Sequence, residues 1–321
     1  MAIAILSSGG DCAGMNPAIK QFVDYSFDKG LEPYLIYDGL EGLIDAKIEQ
    51  ATHQKVAGIM HEGGTILRSS RSKRFFQKQY RQQAYENLAA KGIDKLVVLG
   101  GDGSFKALDV FAKEFALSFI GVPSTIDNDI YGTQYCLGVD TALNVIRQAT
   151  DQLRDTSASF QRGCVVETMG RDCGYLALVS AITCGAEICI IPEANYDLDS
   201  LQSRLQDEID KGRRYVVAIV AEGTEVAHEV RDWLENDIGI ESRLTTLGHI
   251  QRGGNPTVFD RLMATEFITF GIDKLLQEES VQKVVVYNSS EFGYEDISTI
   301  TSNRYSLNPK LLQIASKMFG C

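Results

Sequence analysis

Between Gly121 and Asp129 the chain reads GVPSTIDND, and Thr125, Asp127 and Asp129 are the residues there that could do chemistry. The apolar run Ser118 to Val122 reads as a buried strand, and it empties into two carboxylates separated by one small polar residue. An unpaired carboxylate beside an apolar sheet costs on the order of several kcal/mol, so this is poor core design. It is a good place for a metal or a general base, because open α/β sheets bind ligands outside the carboxyl ends of their strands. An Asx-rich turn with capping aspartates would use the same residues. The rest of the chain separates the two readings.

Four other stretches repeat the pattern of a strand that ends in glycine and charge. Ala2 to Leu6 is followed by SSGGDCAGMNP, where Gly9 and Gly10 make a turn, Asn16 suits a helix N-cap and Pro17 the first helical position. Such a turn presents backbone N–H groups to an anion, and its glycines allow close approach. It is neither a Walker loop nor the dinucleotide fingerprint, and plain α/β connections look alike. KLVVL (95–99) ends in Gly100-Gly101-Asp102-Gly103-Ser104, strand 163–168 in Met169-Gly170-Arg171-Asp172-Cys173-Gly174, and strand 214–220 in Glu222-Gly223-Thr224. Arg68, Arg71, Lys73 and Arg74 crowd a serine-rich loop, which could also be a solvated basic loop. Arg243, His249 and Arg252 surround GHIQRGG.

Phosphoryl transfer needs donors that hold phosphate, a metal between phosphates, a base for the accepting hydroxyl and cations that spread charge. The Gly9–Gly10 turn and the Gly100–Ser104 loop could hold phosphates. Asp102, and Asp129 through water, could position Mg²⁺, a hard cation that keeps waters. Asp127 could take the hydroxyl proton, with Arg171 and Arg71 stabilising the transferred group. Arg162, Arg243, His249 and Arg252 could bind a second, non-reacting phosphate. No Ser-His-Asp or Cys-His spacing is evident.

Strands near 2–6, 33–37, 95–99, 118–122, 163–168, 187–191, 214–220 and 283–287 carry these residues and alternate with helices near 17–29, 51–60, 77–91, 105–115, 138–154, 174–185, 198–211, 225–235, 256–276 and 308–318. Alternation of this kind predicts a mostly parallel, doubly wound α/β architecture. About eight such strands in 321 residues suit two lobes. The net charge of −12 argues against nucleic acid or an anionic membrane as partner. No run is long and apolar enough for a bilayer and no leader is apparent, so a soluble cytoplasmic protein is expected. Seven scattered cysteines without a C-x-x-C pair fit a reducing compartment and no zinc site. Cys12 reads as a small packed residue, His61 and His228 as surface residues, and Trp233 as core or interface.

Taken together, SSGGDCAGMN, GGTILRSSR, GGDGS, PSTIDND, Gln161-Arg162, ETMGR, AEGT and LGHIQRGG make the chain resemble the bacterial ATP-dependent 6-phosphofructokinases. The resemblance runs over essentially the whole chain in order; TIDND, MGR and GHIQRGG are specific, whereas GGDGS is shared with other kinases. It implies two Rossmann-like lobes with the active site in the cleft between them. A larger nucleotide lobe would comprise 1–138 plus 251–300, and a sugar-phosphate lobe 139–250 plus 301–321. It also implies transfer of the ATP γ-phosphoryl group to the 1-hydroxyl of fructose 6-phosphate, with Mg²⁺ as cofactor. By the same resemblance, Asp127 is the base and Thr125, Arg171 and Gly10 assist at the phosphoryl group. Gly10, Arg71, Gly101, Asp102, Gly103 and Ser104 face the nucleotide. Asp129, Arg162, Met169, Gly170, Glu222, Arg243, His249 and Arg252 hold the sugar phosphate together with Thr125, Asp127 and Arg171. Arg162 and Arg243 would reach in from a neighbouring subunit of a homotetramer.

Departures from the family pattern carry their own expectations. Gly103 replaces the aspartate of the pyrophosphate-using branch and leaves room for an α-phosphate, while Ser124 matches neither branch. Leu40, Ser72 and Lys106 stand where aromatic or apolar contacts to adenine are usual. Of the effector site, Lys20, Arg154, Glu187, Lys211 and Arg213 are kept, but Asp24 and His53 replace arginines, so blunted allosteric control is expected. A pyrophosphate-dependent phosphofructotransferase and a catalytically silent nucleotide or sugar-phosphate sensor are the alternatives.

Overall fold

The computed structural model describes residues 1–319; Cys321 lies outside the described residues. From the N-terminus run β1 (Ala2–Ser7), α1 (Met15–Asp28), β2 (Glu32–Ile36), α2 (Gly39–Ile44), β3 (Ile48–Gln50), α3 (Lys78–Ala90), β4 (Ile93–Gly100), α4 (Asp102–Phe115), β5 (Ser118–Pro123) and α5 (Val139–Phe160). Next come β6 (Gly163–Thr168), α6 (Tyr175–Cys184), β7 (Ile188–Ile190), α7 (Leu198–Asp210), β8 (Val216–Ala221), α8 (Ala227–Asn236) and β9 (Ser242–Thr246). α9 (Val258–Gln277), β10 (Gln282–Asn288), β11 (Glu291–Asp296), α10 (Ile297–Ser302) and α11 (Pro309–Phe319) complete the order.

The chain divides into two compact units, one of residues 1–141 and 252–305, the other of residues 142–251 and 306–321. The first holds a seven-stranded sheet in the order β11-β10-β5-β4-β1-β2-β3. Its five inner strands are parallel, and β3 and β11 close the edges antiparallel. β1 and β5 are buried along their whole length, as expected of central parallel strands covered on both faces, which read as unbroken apolar runs. The second unit has a four-stranded parallel sheet, β7-β8-β6-β9. Its core joins Val165, Val216, Ala218 and Val220 to Trp233 and Leu234 of α8. Trp233 is thus a core residue, while His61 and His228 are exposed. The architecture is the doubly wound, mostly parallel α/β arrangement that the alternation of elements implies. Among the described residues no helix is long and apolar enough to cross a membrane.

Three local expectations need correction. Residues 51–60 are not a helix: short 3₁₀ turns at His53–Val56 and Ile59–His61 flank Gly58, whose φ of 79° breaks any continuation. Asn16 is not the N-cap of α1. The helix begins at Met15 behind Gly14 in the left-handed region. Asn16 instead donates to the carbonyls of Glu62 and Gly63 and accepts from Ile66 N–H at 2.7 Å. Pro17 then lies within the first turn, where a missing N–H removes no helical bond. Finally, there are eleven strands among the described residues, not about eight: β3, β9 and β11 are short or polar, and carry little apolar signal.

Candidate active site

The first unit gathers the glycine turns and the aspartates at the carboxyl ends of β1, β4 and β5. Ser8 N–H donates to Leu99 O, Ser124 N–H to Gly100 O, and Ser104 Oγ to Ser8 Oγ at 2.9 Å, which ties the three strand ends together. Gly101 packs on Thr125, whose Oγ1 an added Cβ would meet at 3.7 Å. A Cβ on Gly103 would meet nothing within 4 Å, so that position opens on free space. Thr125 Oγ1 accepts from Asp127 N–H at 3.2 Å. Asp127 is buried and Asp129 half-buried. Asn128 between them adopts φ 51°, a conformation its short polar side chain tolerates. It donates to Gln134 O and accepts from Cys136 N–H, which folds residues 128–136 back on themselves. Ser124 Oγ donates to Val122 O, a bond within its own turn.

Around the Gly9–Gly10 turn, Ser69 Oγ donates to Gly9 O at 2.8 Å. A Cβ on Gly10 would collide with the Arg252 guanidinium, so that cation lies directly over the turn. Arg252 is only 12% exposed and lies 3.8 Å from Asp11. Cys12 is a buried, packed residue; burial foremost, then Asp260, Asp11 and Asp127, push its thiol well up, against the opposing pull of Arg252. The basic loop is less cationic than its sequence. Arg68 forms a two-point pair with Asp38, and Arg74 pairs with Glu41 and Asp45. The Arg68 bond, then that of Lys47, holds the Asp38 carboxyl well below the usual range. Arg71 is exposed and makes no ion pair among the described residues. Leu40 is buried, Ser72 donates to Glu41, and Lys106 pairs with Asp102 at 2.6 Å.

The second unit builds a turn around Arg171. Met169 N–H donates to Gln251 Oε1 at 3.1 Å, and Gly170 and Arg171 N–H both donate to Glu222 Oε1, at 3.3 and 2.9 Å. Gly174 N–H bonds both oxygens of Glu193. Four backbone donors are thus held by three side chains. Arg171 sits at φ 51°, and a Cβ on Gly223 would collide with its carbonyl. The strained, exposed arginine is therefore fixed by its surroundings. Burial raises the Glu193 carboxyl, only partly offset by the Gly174 bond. Arg162 Nε and Arg243 Nη2 converge on Glu241, at 3.0 and 2.5 Å; His249 is exposed. Glu222, read in sequence as a substrate ligand, spends its Oε1 on the Arg171 turn.

The effector candidates are internally paired. Lys20 Nζ donates to Asp24 at 2.6 Å and His53 Nδ1 lies 2.8 Å from the same carboxylate. Burial would raise Asp24, but the Lys20 and His53 hydrogen bonds outweigh it and lower its pKa. In the other unit Arg213 pairs with Glu187 and Glu208, Lys211 with Asp207, and Arg154 donates to the carbonyls of Cys184 and Gly185. Sequence reasoning passed over Gln251, Glu193, Glu241 and Asp260. Only Asp260 left a signal, as the fourth residue of Thr257-x-x-Asp, a capping-box spacing.

Parallel strands that end in glycine turns, carboxylates and arginines define a doubly wound α/β protein equipped for phosphate-bearing ligands. The phosphofructokinase family pattern matches residues 2–274, and the chain belongs to the phosphofructokinase family. It is 57% identical over 316 residues to the ATP-dependent 6-phosphofructokinase of Sulfurimonas denitrificans, covering 98% of this chain and 99% of the relative. It is 55% identical to that of Wolinella succinogenes, covering 99% of both. Among solved structures, phosphofructokinase from Saccharomyces cerevisiae superposes with a TM-score of 0.89 at 33% identity. That match covers 94% of this chain and 45% of the yeast chain, so this chain spans less than half of its length. Pyrophosphate-dependent phosphofructokinase from Marinobacter aquaeolei shares the fold, with a TM-score of 0.85 at 17% identity over 96% of this chain and 86% of that one.

Proposed function

We propose that the protein transfers the γ-phosphoryl group of ATP to the 1-hydroxyl of fructose 6-phosphate, giving fructose 1,6-bisphosphate and ADP. The single observation that carries this reading is the full-length identity of 57% to an ATP-dependent 6-phosphofructokinase. Gly103, open where a carboxylate would repel an α-phosphate, favours ATP over pyrophosphate as donor.

In this reading residues 1–138 plus 251–300 form the nucleotide lobe, and residues 139–250 plus 301–321 the sugar-phosphate lobe. Gly10, Gly101, Gly103 and Ser104 offer backbone N–H groups and space to phosphates, and Arg71 offers charge. Asp127 accepts the proton of the attacking hydroxyl, and Thr125, Gly10 and Arg171 hold the transferring group. Arg162, Met169, Gly170, Glu222, Arg243, His249 and Arg252 orient the acceptor. Fixing Arg171 in a strained turn before substrate arrives lowers the reorganisation needed at the transition state.

A divalent metal, Mg²⁺ by its preference for oxygen, fits Asp102, a 38% exposed carboxylate beside open space, with Asp129 through water. When bound it would neutralise charge on the nucleotide phosphates. Lys106, now on Asp102, would have to yield that carboxylate. The active sites are shared in a homotetramer, with Arg162 and Arg243 serving a neighbouring subunit, and the enzyme is cytoplasmic. Allosteric control is blunted, because Asp24 reverses the local charge and neutralises Lys20; strong inhibition by phosphoenolpyruvate in a velocity assay would contradict this.

Asp127→Ser tests the base assignment. Turnover should fall by orders of magnitude while fructose 6-phosphate binding, read by calorimetry, stays within a few fold. A variant that keeps its turnover would show that Asp127 is not the base.

A further inference from the structure

Asp260, in the first turn of α9, is 0% exposed and belongs to none of the sites above. Its Oδ1 accepts from Gly138 N–H at 2.9 Å, and its Oδ2 from Thr141 N–H at 2.8 Å and Thr141 Oγ1 at 2.6 Å. Two of these donors are orphan N–H groups at the start of α5, which a carboxylate from another helix is satisfying. The capping is reciprocal. Thr257 N–H donates to Thr141 Oγ1, Thr257 Oγ1 donates to Asp140 Oδ2 at 2.5 Å, and Asp260 N–H donates to Thr257 Oγ1. A buried carboxylate with three charge-assisted bonds is a costly device that an apolar contact would replace if only burial mattered.

Three loops meet around Asp260. The aspartate loop leaves β5 at Pro123 and returns at Leu137, whose N–H donates to Pro123 O. Its next residue, Gly138, is held by Asp260. Gly138 also lies against Cys12 and the carbonyl of Ala13, so closely that an added Cβ would sit 2.5 Å from Cys12 Cβ. A Cβ on Gly14 would meet the Asp260 carbonyl at 3.7 Å and its Cβ at 3.8 Å. The segment from Arg252 to Thr257 leads straight into the helix that carries Asp260. The Asp260 carboxylate thus holds the end of the Asp127–Asp129 loop at Gly138, the glycine turn packs on Gly138 and on the Asp260 carbonyl and Cβ, and the approach from Arg252 runs into the same helix.

We propose that Asp260 is a positioning residue for phosphoryl transfer, setting the register of the Gly9–Gly14 turn against the 123–138 loop. The inference rests on the phosphotransferase reading above. It differs from a stability role because it places the carboxylate's effect on the reacting groups and not on the fold alone.

The test uses Asp260→Asn and Thr141→Val in the full chain. The Asn amide cannot accept from both Gly138 and Thr141, while Val removes only the hydroxyl link at nearly constant volume. For folded Asp260→Asn, kcat should fall at least about tenfold with both KM values within about threefold, the pattern of an interaction realised in the transition state. Amide exchange over residues 9–14 and 128–138 should accelerate in the same variant at the assay temperature. A lowered melting temperature with wild-type kcat and unchanged exchange in those segments would overturn the proposal. If Asp260→Asn does not fold, Thr141→Val decides: a kcat loss of about threefold or more supports positioning, and wild-type kcat refutes it. Wild-type protein is assayed first. Failure of that arm rejects the phosphotransferase reading, while the exchange data still report whether Asp260 anchors the two loops.

Discussion

Replacing Gly10 by Ala adds one methyl group at the place where the Arg252 guanidinium covers the glycine turn. Gly10 has no positive φ, so the backbone accepts alanine without strain. The added Cβ would sit 2.1 Å from Arg252 Nη1, so the guanidinium must withdraw by about 1.5 Å to reach ordinary contact. Arg252 is 12% exposed, which leaves it little room. Its ion pair with Asp11, at 3.8 Å and with Asp11 half-exposed, is weak. The stability cost should therefore stay within about 1 kcal/mol. Turnover is more sensitive, because a misplacement of roughly 1 Å can cost on the order of a hundredfold in rate. Steady-state kinetics should show kcat/KM for fructose 6-phosphate down by about ten- to a hundredfold in Gly10→Ala, with a nearly unchanged melting temperature. A double-mutant cycle with Arg252→Ala isolates the cause: once the guanidinium is gone, the extra methyl should cost almost nothing. Full activity in Gly10→Ala, or additive losses in the cycle, would refute the reasoning.

Other expectations follow from the same contacts. Burial drives the Asp260 carboxyl up to about 6 against its hydrogen bonds from Thr141 and Gly138. Its folded pKa exceeds its unfolded value, so its contribution to stability is fully present below about pH 4, is lost as pH rises to about 6, and is flat above; denaturant titrations between those pH values should show that slope in wild type and lose it in folded Asp260→Asn. Gln251→Ala strips the acceptor from buried Met169 N–H and the donor from Gly248 O, and should lower stability by about 1–3 kcal/mol in urea unfolding. Glu193→Ala frees Gly174 N–H below the Arg171 turn and should reduce kcat more than it raises KM, whereas Glu193→Gln, which keeps an acceptor, should recover most of the loss.

What was legible in the sequence follows from how each signal is encoded. β1, β4 and β5 announce themselves because strands buried on both faces are continuously apolar, and their glycine and aspartate endings lie next to them in the chain. GVPSTIDND could therefore be read directly. β3 and β11 could not: β3 is three residues long, and β11 alternates around glycine and acids. Residues 51–60 carry helical composition, but Gly58 and the pairing of Ile48–Gln50 with β2 decide otherwise. Asn16 has the chemistry of a cap and is used to hold a loop, since the same oxygen and amide serve either partner. The supporting residues were hidden for a different reason. Gln251 and Glu193 act on backbone N–H groups 82 and 19 residues away, and nothing local distinguishes them from other polar residues. Glu222 was found for its position after a strand, but its visible contact is to the Arg171 turn.

Donor identity decides the matter in a screen with the purified chain: ATP, GTP and pyrophosphate, each with fructose 6-phosphate and a divalent metal, with product formation followed by coupled assay. Fructose 1,6-bisphosphate and ADP are expected with ATP, and no product with pyrophosphate. Turnover with pyrophosphate in place of ATP, or none with any donor, would contradict that expectation.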